Sequence, residues 1–364
     1  MKQLPDISTF DRENLFQNVL KDRFARYAFF ILLFLYLAVF LASFISPYTK
    51  DYSNRNKSYC PPSKIYIINE NGKFSLPYTY NYKRYFDKEN FETRYVEDRS
   101  QKYKVKYFAK AESYKLWGLI PLNRHFYDIE KGGELYLLGT DMNGRDNFSR
   151  LLYGGQISLT IGFLALLVSF PLGMLYGGIS GYLGGKTDFV MMRIAEAIMS
   201  IPGFYLLIIL ASILPANMSS VQRFALIVVI LALIGWAGFS RVVRGMVLSI
   251  KKKEFVIASE VLGASGMRTI IHHILPQTLS YVIVAMTLSV PSYILSESGL
   301  SFLGLGIQQP DASWGNMLKE AQEFTNILYR PWLLTPGFLI FIAVLSFNLL
   351  GDAIRDFLDP KSEG

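Results

Sequence analysis

The chain has 364 residues, 51% of them hydrophobic and only 18% charged, with 37 Lys and Arg against 29 Asp and Glu for a net charge of +8; its mean hydropathy is +0.25. Soluble domains carry about 25% charged residues, whereas here the apolar excess is gathered into runs of roughly 20, each able to cross about 30 Å of hydrocarbon at 1.5 Å per residue. This composition excludes a soluble globular chain and points to a polytopic membrane protein. Because the basic residues flank the apolar runs, it also excludes a nucleic-acid partner.

Six spans are predicted, over about 27–46, 157–182, 188–214, 222–242, 278–302 and 333–354. The first exceeds a signal-peptide core and has no small-x-small cleavage pattern, so it reads as a retained span. Lys21, Arg23 and Arg26 ahead of it place residues 1–26 in the cytoplasm. Cys60 follows Lys57-Ser58-Tyr59, which is not a lipobox, and a single cysteine allows neither a disulfide framework nor a Cys-based zinc cluster. Residues 47–137 fall outside; they are polar and hold 14 of the 23 tyrosines. Lys64–Ile68 and Lys102–Tyr107 read as strands, with Asn71-Gly72 turning Ile65–Ile68 back on Phe74–Tyr78. A small β-rich extracytoplasmic domain is expected there. Its basic excess does not offend the positive-inside rule, since loops beyond about 60 residues are exempt. Alternation then returns 243–277 and the tail 355–364 to the cytoplasm, in keeping with Arg241, Arg244, Lys251, Lys252, Lys253, Arg268, Arg355 and Lys361.

Motifs for catalysis are absent. Gly184-Gly185-Lys186-Thr187 fails as a phosphate loop because Ser180 stands where the first glycine belongs; a tight turn anchored by Lys186 fits better. There is no H-E-x-x-H, and no G-x-S-x-G with a partner histidine inside the membrane. His272-His273 read as surface histidines at a helix end, and Met191, Met192 and Met199 as bundle packing rather than a soft-metal path. Charges inside spans are costly and therefore informative. Asp188, Arg193 and Glu196 lie along the third span, and Arg193 and Glu196, three apart, share a face and can pair. Glu196 lies on the order of 12 Å beyond Asp188, and Glu297 follows Pro291 in the outer part of the fifth span. Two readings stand for these charges: a polar lining of a substrate path, or ion pairs between helices.

The cytoplasmic segment 254–276 carries the sharpest pattern. Phe255, Ala258 and Leu262 form a helical stripe, Gly263 ends that helix, and a second short helix runs to Leu275-Pro276. The small residues Ala258, Ser259, Gly263, Ala264 and Ser265 suit insertion into a groove of another protein.

This segment resembles the EAA loop of bacterial ATP-binding-cassette importer permeases, which reads E-A-A, three residues, G, nine residues, I-x-L-P. Ala258, Gly263, Leu275 and Pro276 match, while Ile257, Ser259 and His273 depart from it. Four further stretches narrow the resemblance to the second permease subunit of the dipeptide and oligopeptide systems. They are Leu138-Gly139-Thr140-Asp141 through Gly144-Arg145-Asp146, Ser149-Arg150 and Tyr153-Gly154; Gly181 to Gly185 with Asp188 and Arg193; Glu297 through Leu300–Gly306 and Trp314-Gly315-Asn316; and Pro336-Gly337, Asn348 to Asp352, Arg355-Asp356 and Leu358-Asp359-Pro360.

The resemblance implies an all-α polytopic membrane protein with the six-helix type I importer fold in the bacterial cytoplasmic membrane. A motif segment at 138–156 precedes a transmembrane domain at 157–354, and the insert at 47–137 is longer than the family explains. The implied partners are a second, homologous permease, two cytoplasmic ATPase subunits and an extracytoplasmic solute-binding protein, within membrane lipid. ATP and Mg belong to the ATPases, so this chain has no cofactor, metal or catalytic residue. Phe255, Ala258, Ser259, Leu262, Gly263, Ala264, Ser265 and Pro276 would dock the ATPase. Asp188, Arg193, Glu196, Glu297 and Asn348 are candidates for the path or for interhelix pairing. Peptide is the expected cargo; relatives also carry nickel chelates, glutathione or sugars. The Tyr-rich insert is expected to contact the binding protein. A secondary transporter with an ion relay, an intramembrane enzyme and a receptor-like membrane protein are the alternatives; the first lacks visible inverted repeats and the second lacks motifs.

Overall fold

The computed structural model describes residues 19–358 except 69–71, 73, 89–91, 117–119 and 216. The expectations for residues 1–18, for Asn71 and for the tail from Asp359 onward lie outside the described residues. In chain order come α1 (Arg23–Phe40), six strands, β1 (Tyr66–Ile68), β2 (Phe74–Asp87), β3 (Glu92–Tyr107), β4 (Lys110–Leu116), β5 (Ile120–Arg124) and β6 (Tyr127–Ile129), and then the helices α2 (Asn147–Leu183), α3 (Gly185–Met199), α4 (Gly203–Ser212), α5 (Ser220–Ile250), α6 (Glu254–Val261), α7 (Leu279–Phe302), α8 (Trp314–Leu318) and α9 (Thr335–Leu358). Among the described residues five helical stretches are long and apolar enough to cross a membrane, and α3 with α4 makes a sixth as a broken pair.

Three expectations need correction. The span predicted over 188–214 is not one rod: α3 and α4 meet at 78°. Pro202 supplies the break, since it cannot donate to the preceding turn and holds Ile201 away from helical backbone angles. The span predicted over 157–182 is the C-terminal part of a helix that starts ten residues earlier, and that over 222–242 is the N-terminal part of one that runs eight residues further, because hydropathy registers the apolar stretch and not where backbone hydrogen bonding stops. Finally, the segment reaching Pro276 is not a separate helix. A helical turn (Gly266–Thr269), a π turn (Ile270–Ile274) and a 3-10 turn (Leu275–Thr278) wind straight into α7. Pro276 is tolerated because it opens a turn, where no N–H is needed.

The chain divides into two units, residues 1–33, 159–300 and 340–364 in the first and residues 34–158 and 301–339 in the second. In the first unit α5 is the hub. Gly173, Gly177 and Gly181 of α2, spaced by four, lie directly on it. A Cβ on Gly177 would stand 2.3 Å from the Ser240 carbonyl oxygen, one on Gly173 3.0 Å from that of Trp236, and one on Gly181 2.9 Å from that of Arg244. Backbones approach this closely only through small residues. On α3, Met192 and Ala195 pack against Trp236 and Ala237, with Tyr176, Ile198 and Met199 around them.

The second unit holds an antiparallel sheet in the order β1-β2-β3-β6 and a separate β4-β5 pair. The first hairpin has the register Tyr66↔Tyr78 and Ile68↔Phe74. One of its core clusters is aromatic, with Cys60, Tyr82 and Tyr136 buried and Tyr48, Tyr52 and Tyr95 against them, and a second gathers Val105, Tyr127 and Leu135. In the first, each ring packs its body and satisfies its hydroxyl: Tyr52 and Tyr136 share a 2.9 Å hydrogen bond, Tyr95 donates to the Ser58 carbonyl at 2.6 Å, and Tyr48 accepts from the Leu135 amide at 3.0 Å. Burial pushes the Cys60 thiol up to about 12.

Residues 139–150 form a polar knot in the same unit. Asp141 accepts from the Asn143 and Arg145 amides at 2.8 and 2.9 Å and from Arg145 Nε at 2.6 Å, with Arg150 Nε at 3.5 Å. Arg145 also reaches Gln309, and Glu320 accepts from the Met142 amide at 2.9 Å. Burial, reinforced by Asp141, holds the Glu320 carboxyl above its ordinary range. Trp314 donates from its indole to the Leu151 carbonyl at 2.9 Å and from its amide to Ser158 Oγ at 3.0 Å. Asp146 caps α2, accepting from the Ser149 amide and hydroxyl at 2.8 and 2.6 Å.

Two predictions follow from these contacts. Gly177→Ala is expected to cost about 1–3 kcal/mol through overpacking against α5, read as a lower melting temperature in detergent. Gly245→Ala, with nothing within 4 Å of its Cβ, is expected to be neutral or stabilising. Burial pushes the Asp146 carboxyl up to about 7 against the hydrogen bonds of Ser149. The folded chain therefore holds this proton when the unfolded chain, titrating at about 4, has lost it, and stability falls as pH rises from about 4 to about 7. Asp146→Asn keeps the cap and removes the ionisation. Its stability relative to the parent chain should rise across that window by up to about 4 kcal/mol, read as a widening gap between the two melting temperatures.

Candidate functional site

The segment after α5 is built to present a short helix on a rigid base. α5 ends at Ile250, capped by Lys251, and Lys253 in an extended conformation breaks the chain direction before α6. Glu254 sits in the first turn, where its charge complements the amide end of the helix. At the other end Gly263, at φ 86, takes the left-handed conformation. Its amide donates to the Glu260 carbonyl at 2.9 Å and that of Ala264 to the Ser259 carbonyl at 3.1 Å, the paired bonds of a Schellman end. Ser265 then caps the next turn by accepting from the Arg268 amide.

The base is polar and cross-braced. Tyr182 at the end of α2 donates to Glu260 Oε1 at 2.8 Å, and Lys251 Nζ donates to the Gly181 carbonyl at 2.7 Å and to that of Tyr182 at 3.3 Å. Arg244 of α5 grips Asp188 of α3 with Nε at 2.5 Å on one oxygen and Nη2 on the other, while Ser180 of α2 donates to the same carboxylate at 2.5 Å. One carboxylate thus ties three helices together.

On α6, Val256 and Ser259 turn inward and are buried. Ser259 is therefore not on the presented surface, a correction to its assignment as a docking residue; it lies three residues after Val256 on the inward face. Phe255, Ile257, Val261 and Leu262 are exposed, Leu262 at 87%, and Ala258 and Ser265 are open while Ala264 and Pro276 are half-buried. The presented apolar surface thus includes Ile257 and Val261, which a single stripe through 255, 258 and 262 misses. The signal was there: α6 is apolar nearly all round, the mark of a helix meant to be covered.

The charges in the spans separate into two groups. Arg193 and Glu196 meet at 2.9 Å. Asp188 joins neither of them but pairs with Arg244, which the sequence places among the loop charges, and with Ser180. Glu297 is fully buried on α7 with Ser298 Oγ 3.4 Å away, and Asn348 is half-buried on α9. His272 is exposed with its ring Nδ1 3.3 Å from the Arg268 carbonyl and His273 is half-buried; both lie in the π turn that winds into α7, a correction to their placement at a helix end.

The model of the binding-protein-dependent transport system inner membrane component matches residues 169–364, and that of the N-terminal transmembrane domain of oligopeptide transport permease C matches residues 14–62. Neither covers residues 63–168. The dipeptide transport system permease protein of Bacillus subtilis is 45% identical over 61% of this chain and 68% of its own length. The oligopeptide transport system permease protein of Haemophilus influenzae is 43% identical over 62% and 70%. The nickel transport system permease protein of Escherichia coli is 38% identical over 61% and 78%. With more than half of its length matched by the first of these models, the chain belongs to the family of binding-protein-dependent transport system inner membrane components.

Proposed function

We propose that this chain is one of two permease subunits of an ATP-driven importer for dipeptides or oligopeptides. One observation carries the mechanism: α6 presents uncovered apolar side chains while its base is tied to α2, α3 and α5. Such a helix supplies packing rather than chemistry, as a part that passes a rigid-body push must. In this reading segment 243–277 lies in the cytoplasm and α6 seats in a groove of an ATPase subunit. ATP and Mg stay with the two ATPases, and a binding protein delivers cargo on the opposite side, where residues 47–137 lie. The relatives named for dipeptide and oligopeptide transport support peptide as cargo. The relative named for nickel keeps a metal chelate as the second reading.

Co-purification from native membranes, with ATP-dependent uptake of labelled oligopeptide and of nickel by the reconstituted complex, decides between cargoes. Leu262→Asp changes only an exposed residue and should insert normally, yet lower uptake about tenfold or more by placing a charge in a desolvated groove. Gly263→Asp, which strains the left-handed position by roughly 1–2 kcal/mol, should do the same. Normal transport by both variants would remove α6 from the ATPase contact. On the insert, Phe74→Ser with Leu76→Ser alters two highly exposed side chains and is expected to weaken binding-protein affinity without changing the amount of inserted chain.

A further inference from the structure

At 100° per residue α3 divides into three faces. Asp188, Met192 and Ala195 are buried. Val190 and Ile194, 56% and 51% exposed, form an open apolar face. Between these two faces run Phe189, Arg193, Glu196 and, capping the helix end, Ser200, at i, i+4, i+7 and i+11, all open or half-open. Arg193 Nη2 contacts Glu196 Oε2 at 2.9 Å, the two side chains are 62% and 37% exposed, and the guanidinium lies 5.3 Å over the Phe189 ring.

Hydrocarbon cannot solvate this pair, and charges within spans face a bundle interior or a water-filled cavity. The neighbouring Val190–Ile194 face is the one suited to lipid. The pair is also a poor protein contact: the cores of interfaces are depleted of charge, and Arg193 and Glu196 already answer each other, leaving nothing for a partner subunit to neutralise. An ion pair this open is held weakly, so a solute carrying both signs can part it, its ammonium end going to Glu196 and its carboxylate end to Arg193.

We propose that the Phe189–Arg193–Glu196–Ser200 stripe of α3 forms a polar wall of the translocation path and that Glu196 and Arg193 read the charged ends of the solute. α3 is fixed to α5 by Asp188–Arg244 and by Met192 against Trp236, and α5 leads directly to α6. The wall therefore moves with the docking helix. The assignment of solute ends rests on the peptide reading above, whereas the wall does not.

The test uses the assembled transporter in liposomes with Cys60→Ala, which removes the only thiol of this chain, and with the partner subunits stripped of cysteine. Arg193→Cys, Glu196→Cys and the near-isosteric Ser200→Cys are compared with Val190→Cys and Ile194→Cys for reaction with a membrane-impermeant charged thiosulfonate. The stripe positions should react about tenfold faster than the apolar-face positions, at rates that differ between the nucleotide-free and the ATP–vanadate states. Stripe cysteines that react only in the isolated chain would mean burial against a partner subunit. Equal rates in both states would mean a static surface. Either outcome overturns the proposal. Glu196→Gln, which keeps shape, should lower uptake of a lysine-rich tripeptide relative to a neutral one by about an order of magnitude; an unchanged ratio overturns the role of Glu196. A parent complex that takes up no peptide refutes the peptide reading and leaves the labelling result standing.

Discussion

The backbone-to-backbone approach of α2 and α5 is the contact on which the helical unit depends. Three glycines four residues apart let the carbonyls of Trp236, Ser240 and Arg244 lie where side chains would otherwise stand. In lipid there is no hydrophobic drive between helices, so close packing and polar contacts must hold the bundle. The same register brings Ser180, Tyr182 and the Gly181 carbonyl to the end of the glycine row, where Asp188, Glu260 and Lys251 find them. The stripe that joins the helices thus also sets the polar brace beneath α6.

The second unit solves a different problem. Its sheet region is poor in aliphatic residues, and tyrosines supply the buried area while finding partners for their hydroxyls. The stretches 138–154 and 301–316, which carry the resemblance in the sequence, meet within the second unit. They knot together: Trp314 bonds Leu151 and Ser158, Asn316 donates to the Ile307 and Asp311 carbonyls, and Arg145 reaches Gln309. These contacts fix the start of α2.

Much of this was legible in the residues. Apolar runs located the spans, Gly263 marked the end of α6, and alternation in Ile65–Ile68 and Lys102–Tyr107 marked strands, because each signal is local. What escaped depends on distant partners. Nothing near Arg244 announces that it belongs to Asp188, 56 positions earlier. Ser259 looks like a docking residue until the orientation of α6 on its base turns it inward. The break at Pro202 was readable from proline alone, but the apolar residues on either side masked it. The glycine row is also visible as G-x-x-x-G spacing in an apolar run, but of its three members only Gly181 falls in a stretch that carries the resemblance.

α5 runs 31 residues without an internal proline, from a capping box at Ser219 to its last turn at Ile250. At 1.5 Å per residue that is a strut of about 46 Å. A tilt of only 5° about one end would carry the other through about 4 Å. With α6 attached at one end and α3 clamped along its side, a small angular step imposed at α6 arrives as a large linear one elsewhere, with no need for any helix to bend.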